Sequence, residues 1–133
     1  MHLSYLARAY AEVRQLDEAW HYVRQARAAI EETGERWNES EVNRIAGEIA
    51  LPLGHPSKGS TYFDRALTVA RSQQAKSWEL RAAISMARLW RDQGKRHEAR
   101  GLLASAYGWF TEGFDTLDLK EARALLDTLG SSV

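Results

Sequence analysis

The amino-acid sequence repeats a pattern of side-chain sizes at an interval of about 40 residues, a length typical of helical repeat proteins. Four sets of positions follow this interval: Ala19, Gly59 and Ala99; Val23, Phe63 and Leu103; Ala26, Ala66 and Ala106; and Ile30, Ala70 and Phe110. Within each copy the steps between positions are four, three and four, which is the spacing of one face of an α-helix. The interval therefore predicts one helix with an apolar face in each of three repeats.

A second apolar helix precedes each of these helices. Its apolar positions are Leu3, Leu6, Ala7 and Tyr10 in the first copy, Val42, Ile45, Ala46 and Ile49 in the second, and Ala83, Met86, Ala87 and Trp90 in the third. The third of these positions is alanine in every copy, and small side chains let paired helices approach closely. A helical hairpin alone cannot bury both of its faces, so the three hairpins are expected to stack around a continuous core.

This pattern resembles the tetratricopeptide repeat family, in which helix A carries a large–small pair and then an aromatic residue, and helix B carries a small–large–small series. The resemblance covers about residues 2–110. It is weaker in the second repeat, where Ile49 replaces the aromatic residue, and the interval exceeds the family's common length of about 34 residues. The resemblance implies an all-α fold, a right-handed α-α superhelix of three helical hairpins.

The three repeats are expected at about residues 2–36, 37–76 and 77–115 of a single domain that comprises all 133 residues. A capping helix is expected at about 118–130, with Asp118 as its N-cap and Glu121 as the capping-box partner. Its apolar stripe, which runs from Leu119 to Leu129, would cover the open end of the stack.

One segment inside the second repeat is expected to be irregular. Residues 51–59 contain both prolines of the chain, Pro52 and Pro56, together with two glycines. Proline and glycine at this density end a helix. Ser60 or Thr61 is then expected to cap the helix that follows.

Composition argues against several classes of function. The 18 basic side chains balance 18 acidic ones, so the basic excess typical of nucleic-acid binding is missing. The absence of cysteine excludes disulfides and thiolate zinc sites and fits a cytoplasmic location. We see no signal peptide and no apolar stretch long enough to span a membrane, so no membrane association is expected. No catalytic motif, cofactor or small-molecule substrate is expected either. The four histidines, none of them in a metal-ligand spacing, are interpreted as surface residues: His2, His21, His55 and His97.

A narrower resemblance rests on three segments, KSWELRAA at 76–83, ARLWRDQG at 87–94 and YGWFTEGFDT at 107–116. They are similar to the C-terminal repeat region of large multidomain proteins of rhizobia and related bacteria. In those proteins a class III adenylate/guanylate cyclase domain or a winged-helix domain precedes a predicted ATPase domain and then the repeats. The resemblance implies a regulatory role in signal transduction, in either an excised fragment or a stand-alone relative. The cyclase aspartates and the ATPase Gly-rich loop have no counterpart in this sequence.

The family resemblance also implies a groove lined by helix A residues that point away from helix B. By position these are Ser4, Arg8, Glu12, Asn43, Gly47, Arg81, Arg88 and Arg91. An arginine-rich groove could bind the carboxylates of a protein or peptide partner. Alternatively, these arginines pair with glutamates of neighbouring helices. The Asn and Lys pattern that clamps a C-terminal carboxylate in this family is not reproduced.

Aromatic residues suggest two further roles. Trp37 and Trp78 are separated by close to one repeat interval and are expected to brace the junction between successive repeats. Trp109, Phe110 and Phe114 are expected to pack the capping helix. The leading hypothesis for the chain is thus a non-catalytic interaction module. The alternative is a self-assembly element, a homo-oligomer formed through the uncapped face of the first repeat.

Overall fold

A computed structural model describes residues 16–114 and 116–130, and every regular element in these two ranges is an α-helix. The six helices are α1 (Leu16–Thr33), α2 (Glu39–Ala50), α3 (Pro56–Ser72), α4 (Lys76–Asp92), α5 (Arg96–Tyr107) and α6 (Leu117–Gly130). The predicted all-α class is therefore confirmed for this part of the chain. The first predicted helix, with Leu3 and Ala7, lies outside the described residues.

The helices pack in a regular order. Each helix contacts the next one along the chain, and in addition α2 contacts α4 and α4 contacts α6. The even-numbered helices therefore lie side by side in one layer, and the odd-numbered helices pack against them from the other side. In the odd-numbered layer α1 and α3 meet through side chains, since the rings of Trp20 and Tyr62 are 5.9 Å apart.

The small residues that recur along the sequence lie at the helix contacts, as predicted. Ala19, Ala46, Ala87 and Ala99 are fully buried, and Gly59 is buried too. Larger members of the repeat sets fill the space between them, among them Val23, Phe63 and Leu103. Because alanine and glycine leave the helix backbones close together, dispersion contacts and burial of apolar area hold the layers to each other.

Helices α2 and α3 approach each other closely. A Cβ atom on Gly47 would lie 2.4 Å from Cε1 of Phe63, a side chain that is itself fully buried. Nearby, the Ser40 hydroxyl donates a hydrogen bond of 2.9 Å to the main-chain oxygen of Ala66. Gly47 thus faces α3, whereas the family resemblance had implied a position on the groove. That expectation was wrong because Phe63 occupies the space beside this face of α2.

The turns repeat as regularly as the core. After α2, α3 and α4 the chain takes a left-handed residue at Gly54, Gln74 and Gly94, with φ of 82°, 56° and 81°. In each case the following amide donates to a carbonyl five positions earlier, as in the bonds from Ala75 to Ala70 and from Lys95 to Trp90. This is the Schellman ending of a helix, in which glycine is the favoured left-handed residue.

Three boundaries differ from the sequence expectation. Helix α3 begins at Pro56, so the irregular loop ends there and neither Ser60 nor Thr61 is its cap. Proline fits this first position because its missing N–H would have no partner in the helix. Helix α6 begins at Leu117, which places Asp118 inside the first turn and not at the N-cap. Helix α5 ends at Tyr107, so Phe110 lies in the following loop.

We expect Gly47→Ala to lower the free energy of unfolding. Alanine is the better helix former by about 1 kcal/mol, but forcing a methyl group against buried Phe63 costs about 1–3 kcal/mol. Urea denaturation followed by circular dichroism measures the difference. Gly101→Ala is the matched control, since a Cβ atom there meets nothing within 4 Å, and it should raise stability. Equal stabilisation by both variants would contradict the close packing of α2 on α3.

Gln74→Gly should stabilise the protein by about 1 kcal/mol, because a left-handed backbone strains every residue that has a Cβ atom. The reverse change, Gly94→Gln at the left-handed position that follows α4, should lower stability by a similar amount. Thermal unfolding of the two variants beside the parent chain tests this. A melting temperature that falls for Gln74→Gly would show that the glutamine side chain contributes more than the strain costs.

Candidate interaction surface on the even-numbered helices

The predicted groove residues fall into three groups. Arg8 and Glu12 lie outside the described residues. Asn43 is only 4% exposed, and its Nδ2 donates a hydrogen bond of 2.9 Å to the main-chain oxygen of Glu39. Asn43 therefore does not line an open groove, because residues all around α2 are covered by its neighbours. The remaining residues, Arg81, Arg88 and Arg91, lie on α4 at spacings of seven and three, which keeps them on one side of the helix.

The inner part of this surface is a chain of ion pairs that joins all three even-numbered helices. Glu41 on α2 accepts hydrogen bonds of 2.7 and 3.0 Å from the guanidinium of Arg44. The same carboxylate accepts one of 2.5 Å from Nη1 of Arg81 on α4. Arg81 in turn places its Nε 3.1 Å from Oδ2 of Asp118 on α6. Guanidinium groups suit this role because each presents several N–H donors in a fixed plane.

A branch of this chain runs along α2 towards its C-terminal end. The Ser85 hydroxyl on α4 donates a hydrogen bond of 2.6 Å to Oε1 of Glu48. Nη1 of Arg44 lies 4.0 Å from the same oxygen. Arg44 therefore sits between two carboxylates of its own helix, Glu41 and Glu48, each of which also contacts α4.

The surroundings of Arg44 shift its titration. Burial by itself lowers the pKa of the guanidinium, but the hydrogen bonds to Glu41 and the charges of Glu41, Glu48 and Asp118 outweigh burial and raise that pKa above its ordinary value. A raised pKa in the folded state means that the stabilising contribution is complete at neutral pH and is lost only as pH rises through the strongly alkaline range. Arg44 is consequently a permanent positive charge at the centre of the network.

The outer arginines of α4 are held more loosely. Nη2 of Arg88 lies 3.4 Å from Oε2 of Glu121 on α6, with both side chains well exposed. Nε of Arg91 lies 3.1 Å from Oδ1 of its neighbour Asp92, which is 66% exposed. Arg81 and Arg88 thus pair with acidic residues of neighbouring helices, which is the alternative that the sequence left open. Exposed pairs of this kind contribute only about 0–1 kcal/mol, so the carboxylate of another molecule could replace them.

The chemistry of this surface is that of charge pairing. Within residues 16–114 and 116–130, no group of three or more His, Asp or Glu side chains is arranged to hold a metal ion. His21, His55 and His97 are exposed, as predicted, while His2 lies outside the described residues. His21 shares a hydrogen bond of 3.1 Å with Gln25 on the same helix.

The aromatic residues singled out in the sequence occupy two places in the structure. The rings of Trp37 and Trp78 are 5.9 Å apart, which confirms that they bridge successive hairpins. Phe110 packs against the core as expected, but Trp109 is 62% exposed. The prediction that Trp109 packs the last helix was wrong, because its ring lies under the ammonium of Lys76, 3.8 Å from the ring centre.

An apolar cleft of about 560 Å³ between α1 and α3 was not foreseen. Its lining includes the apolar and aromatic residues Trp20, Ile49, Leu53 and Tyr62, together with His55 and Lys58. The only sequence signal for it is the pair Trp20 and Tyr62, each adjacent to a core position of the repeat sets. The loop after α2 contributes Leu53 and His55 to the lining of the cleft.

Comparisons with known proteins add no relative. A scan against protein-family models finds no match, and searches of curated proteins and of solved structures find none either. No helix in the described part of the chain combines the length and the apolar character needed to cross a lipid bilayer.

Removing the charge of Glu41 should destabilise the fold. Glu41→Gln leaves the guanidinium groups of Arg44 and Arg81 without their shared carboxylate, and breaking a buried ion pair in this way costs about 3 kcal/mol. Chemical denaturation at neutral pH provides the measurement. Asp92→Asn, which breaks only the exposed contact with Arg91, should change stability by less than about 0.5 kcal/mol. Equal effects of the two variants would show that the network adds nothing.

Proposed function

We propose that this chain is a non-catalytic helical-repeat module that binds a protein or peptide partner. Its hairpins would follow the tetratricopeptide plan, with three hairpins and a capping helix in a right-handed superhelix. The contacts of α4 with both α2 and α6 support this plan, since helix A of one repeat then meets its counterpart in the next. Stacked repeats of this type create an extended surface suited to binding another chain.

The capping role of α6 is supported by the polarity of its two sides. Leu119, Ala122, Leu125 and Leu129 are buried, and α6 contacts α4 and α5. The opposite side carries charged residues, including Lys120, Arg123 and Asp127, which are exposed. An end helix that is apolar inside and charged outside is what a repeat stack needs in order to stay soluble.

The proposal rests on two arginines of the even-numbered layer, Arg88, which is exposed, and Arg91, which is half-buried. Their present partners, Glu121 and Asp92, are exposed carboxylates held in weak contacts. A partner segment rich in Asp or Glu would exchange one carboxylate for another without leaving any charge buried and unpaired. The inner pairs around Glu41 would stay intact and keep the surface rigid.

The wider context of the proposal rests on the resemblance to rhizobial-type signalling proteins. There, a cytoplasmic repeat region of this kind would sense a partner and bias the cyclase or ATPase domains of the same polypeptide. Self-assembly through the first repeat stays a prediction, because the leading helix of that repeat lies outside the described residues.

Peptide selection tests the binding function. The chain, immobilised, is offered a random library of displayed dodecapeptides, and we expect enrichment of an acidic family. Arg88→Glu with Arg91→Glu should weaken the best peptide at least tenfold, which corresponds to about 1.4 kcal/mol. Lys120→Glu with Arg123→Glu, on the outer side of α6, is the matched double charge reversal and should leave affinity unchanged. A selection that enriches no family, or one whose peptides ignore the double variant, would contradict the proposal.

A further inference from the structure

We propose that the edge of the molecule carrying Trp37, Trp78 and Trp109 is a second binding surface, specific for an acidic peptide segment with aromatic anchor residues. The inference rests on the proposed function, that the chain binds protein segments, and adds a separate site with its own partner chemistry. Hereafter this edge is called the tryptophan edge.

The tryptophan edge lies where loops connect each odd-numbered helix to the next even-numbered helix. Trp37 lies in the loop before α2, Trp78 in the first turn of α4 and Trp109 in the loop before α6. Trp37 is 56% exposed and Trp109 is 62% exposed. Large exposed aromatic side chains that lie together on a soluble domain mark a site of interaction with another molecule.

Two contacts, both made by the first turn of α4, connect the row of three indoles. The rings of Trp37 and Trp78 lie 5.9 Å apart at an angle of 32°. On the other side, Lys76 places its Nζ 3.8 Å from the ring centre of Trp109 and 3.5 Å from Oε1 of Glu79. Lys76 and Trp78 belong to the same turn of α4, so both contacts start from that turn and Trp109 is connected to the other two indoles through it.

The positively charged side chains around the row are more exposed to solvent than the carboxylates that they contact. The carboxylates of Glu39 and Glu79 are 13% and 9% exposed, whereas the cations that contact them reach well into solvent. Those cations are Arg36 and Arg65 around Glu39, and Arg71 and Lys76 around Glu79. A ligand that approaches the row itself therefore meets indole faces and these four cations before the two covered carboxylates. Carboxylates on a partner complement this pattern, and aromatic side chains stack on the indoles.

The tryptophan edge is also held in place before any ligand binds. Nε2 of Gln73 donates a hydrogen bond of 2.7 Å to the main-chain oxygen of Arg36, which ties the turn after α3 to the loop before α2. Nε of Arg71 lies 3.3 Å from Oε2 of Glu79, which ties α3 to α4. Loops fixed in this way lose little conformational freedom on binding, which favours affinity.

Indoles beside cations can also stack nucleic-acid bases, so a peptide must be argued against that occupant. The loops on either side of the row carry exposed carboxylates, Glu35 and Glu112, and the whole chain has no net positive charge. A phosphate backbone carries a negative charge at every nucleotide and would be repelled at both loops. A peptide can place its few carboxylates at Arg36, Arg71 and Lys76 alone.

Fluorescence anisotropy with a labelled dodecapeptide of three acidic residues, three Phe and six Ser tests the inference on the full chain. We expect saturable binding that weakens as salt is raised and that Trp37→Ala with Trp109→Ala reduces at least tenfold. Both side chains are more than half exposed, so the double variant should keep its helical circular dichroism. Arg36→Gln, a second variant that keeps the indoles and the main-chain contact with Gln73, should weaken the peptide too. Versions of the peptide with Ser for Phe, or Lys for the acids, should not bind.

The remaining outcomes separate this inference from the proposed function. Arg88→Glu with Arg91→Glu could abolish binding of the peptide while the tryptophan variant still binds it. The peptide would then bind at Arg88 and Arg91, so this inference would be wrong and the proposed function would stand. Failure of the dodecapeptide to bind the parent chain also overturns the inference, while peptides selected on the arginine pair would still support the function. Tryptophan-dependent binding of single-stranded oligothymidylate in place of the peptide would identify a nucleic-acid site instead.

Discussion

The separation between paired helices is the constraint on which the rest of this structure depends. Gly47 leaves no room for a Cβ atom against Phe63, and Ala46, Ala87 and Ala99 are likewise fully buried. At this spacing side chains of α2 can reach α4 directly, as Glu41 reaches Arg81. A larger residue at Gly47 would push α3 outwards and carry α4 with it, since α4 packs on both α2 and α3. Ion pairs and loop contacts therefore follow from the size pattern of the core.

The buried charges set the register of the even-numbered layer. Apolar contacts between helices are tolerant of sliding, because a stripe of Ala, Leu and Ile offers similar surface at successive turns. A carboxylate that must meet Arg44 and Arg81 together is satisfied at a single register. Asp118 extends the same requirement to α6. The exposed arginines are thereby carried at fixed positions relative to α2 and α6, although they contribute little to holding the helices.

The helices and their contacts were largely predictable from the sequence, whereas the site was predictable only in part. The repeat interval identified Ala46, Phe63 and Ala99 as core positions, and it recurs in the turns at Gly54 and Gly94. Asn43 and Gly47 were misjudged because α2 is covered by α1, α3 and α4 together, and the periodicity of one helix records only its main partner. Glu41 and Arg81 are themselves separated by one full repeat interval, a signal that could have revealed their pairing, but many other arginines and glutamates compete for such assignments.

The two proposed binding surfaces are separate from the interactions that hold the fold together. Burial of alanine and leucine stabilises the stack, and the network around Glu41 fixes its register, so neither depends on Arg88, Arg91 or Trp109. The two proposed surfaces differ in character, since one is a charged helix face and the other a row of indoles at the loops. Trp37 and Trp109 lie in loops, so substitutions at these two positions leave the contacts between helices undisturbed. The helical core could therefore stay the same while the proposed binding at the edge is adjusted. The affinity of that proposed binding would depend on how firmly contacts such as that of Gln73 with Arg36 hold the loops.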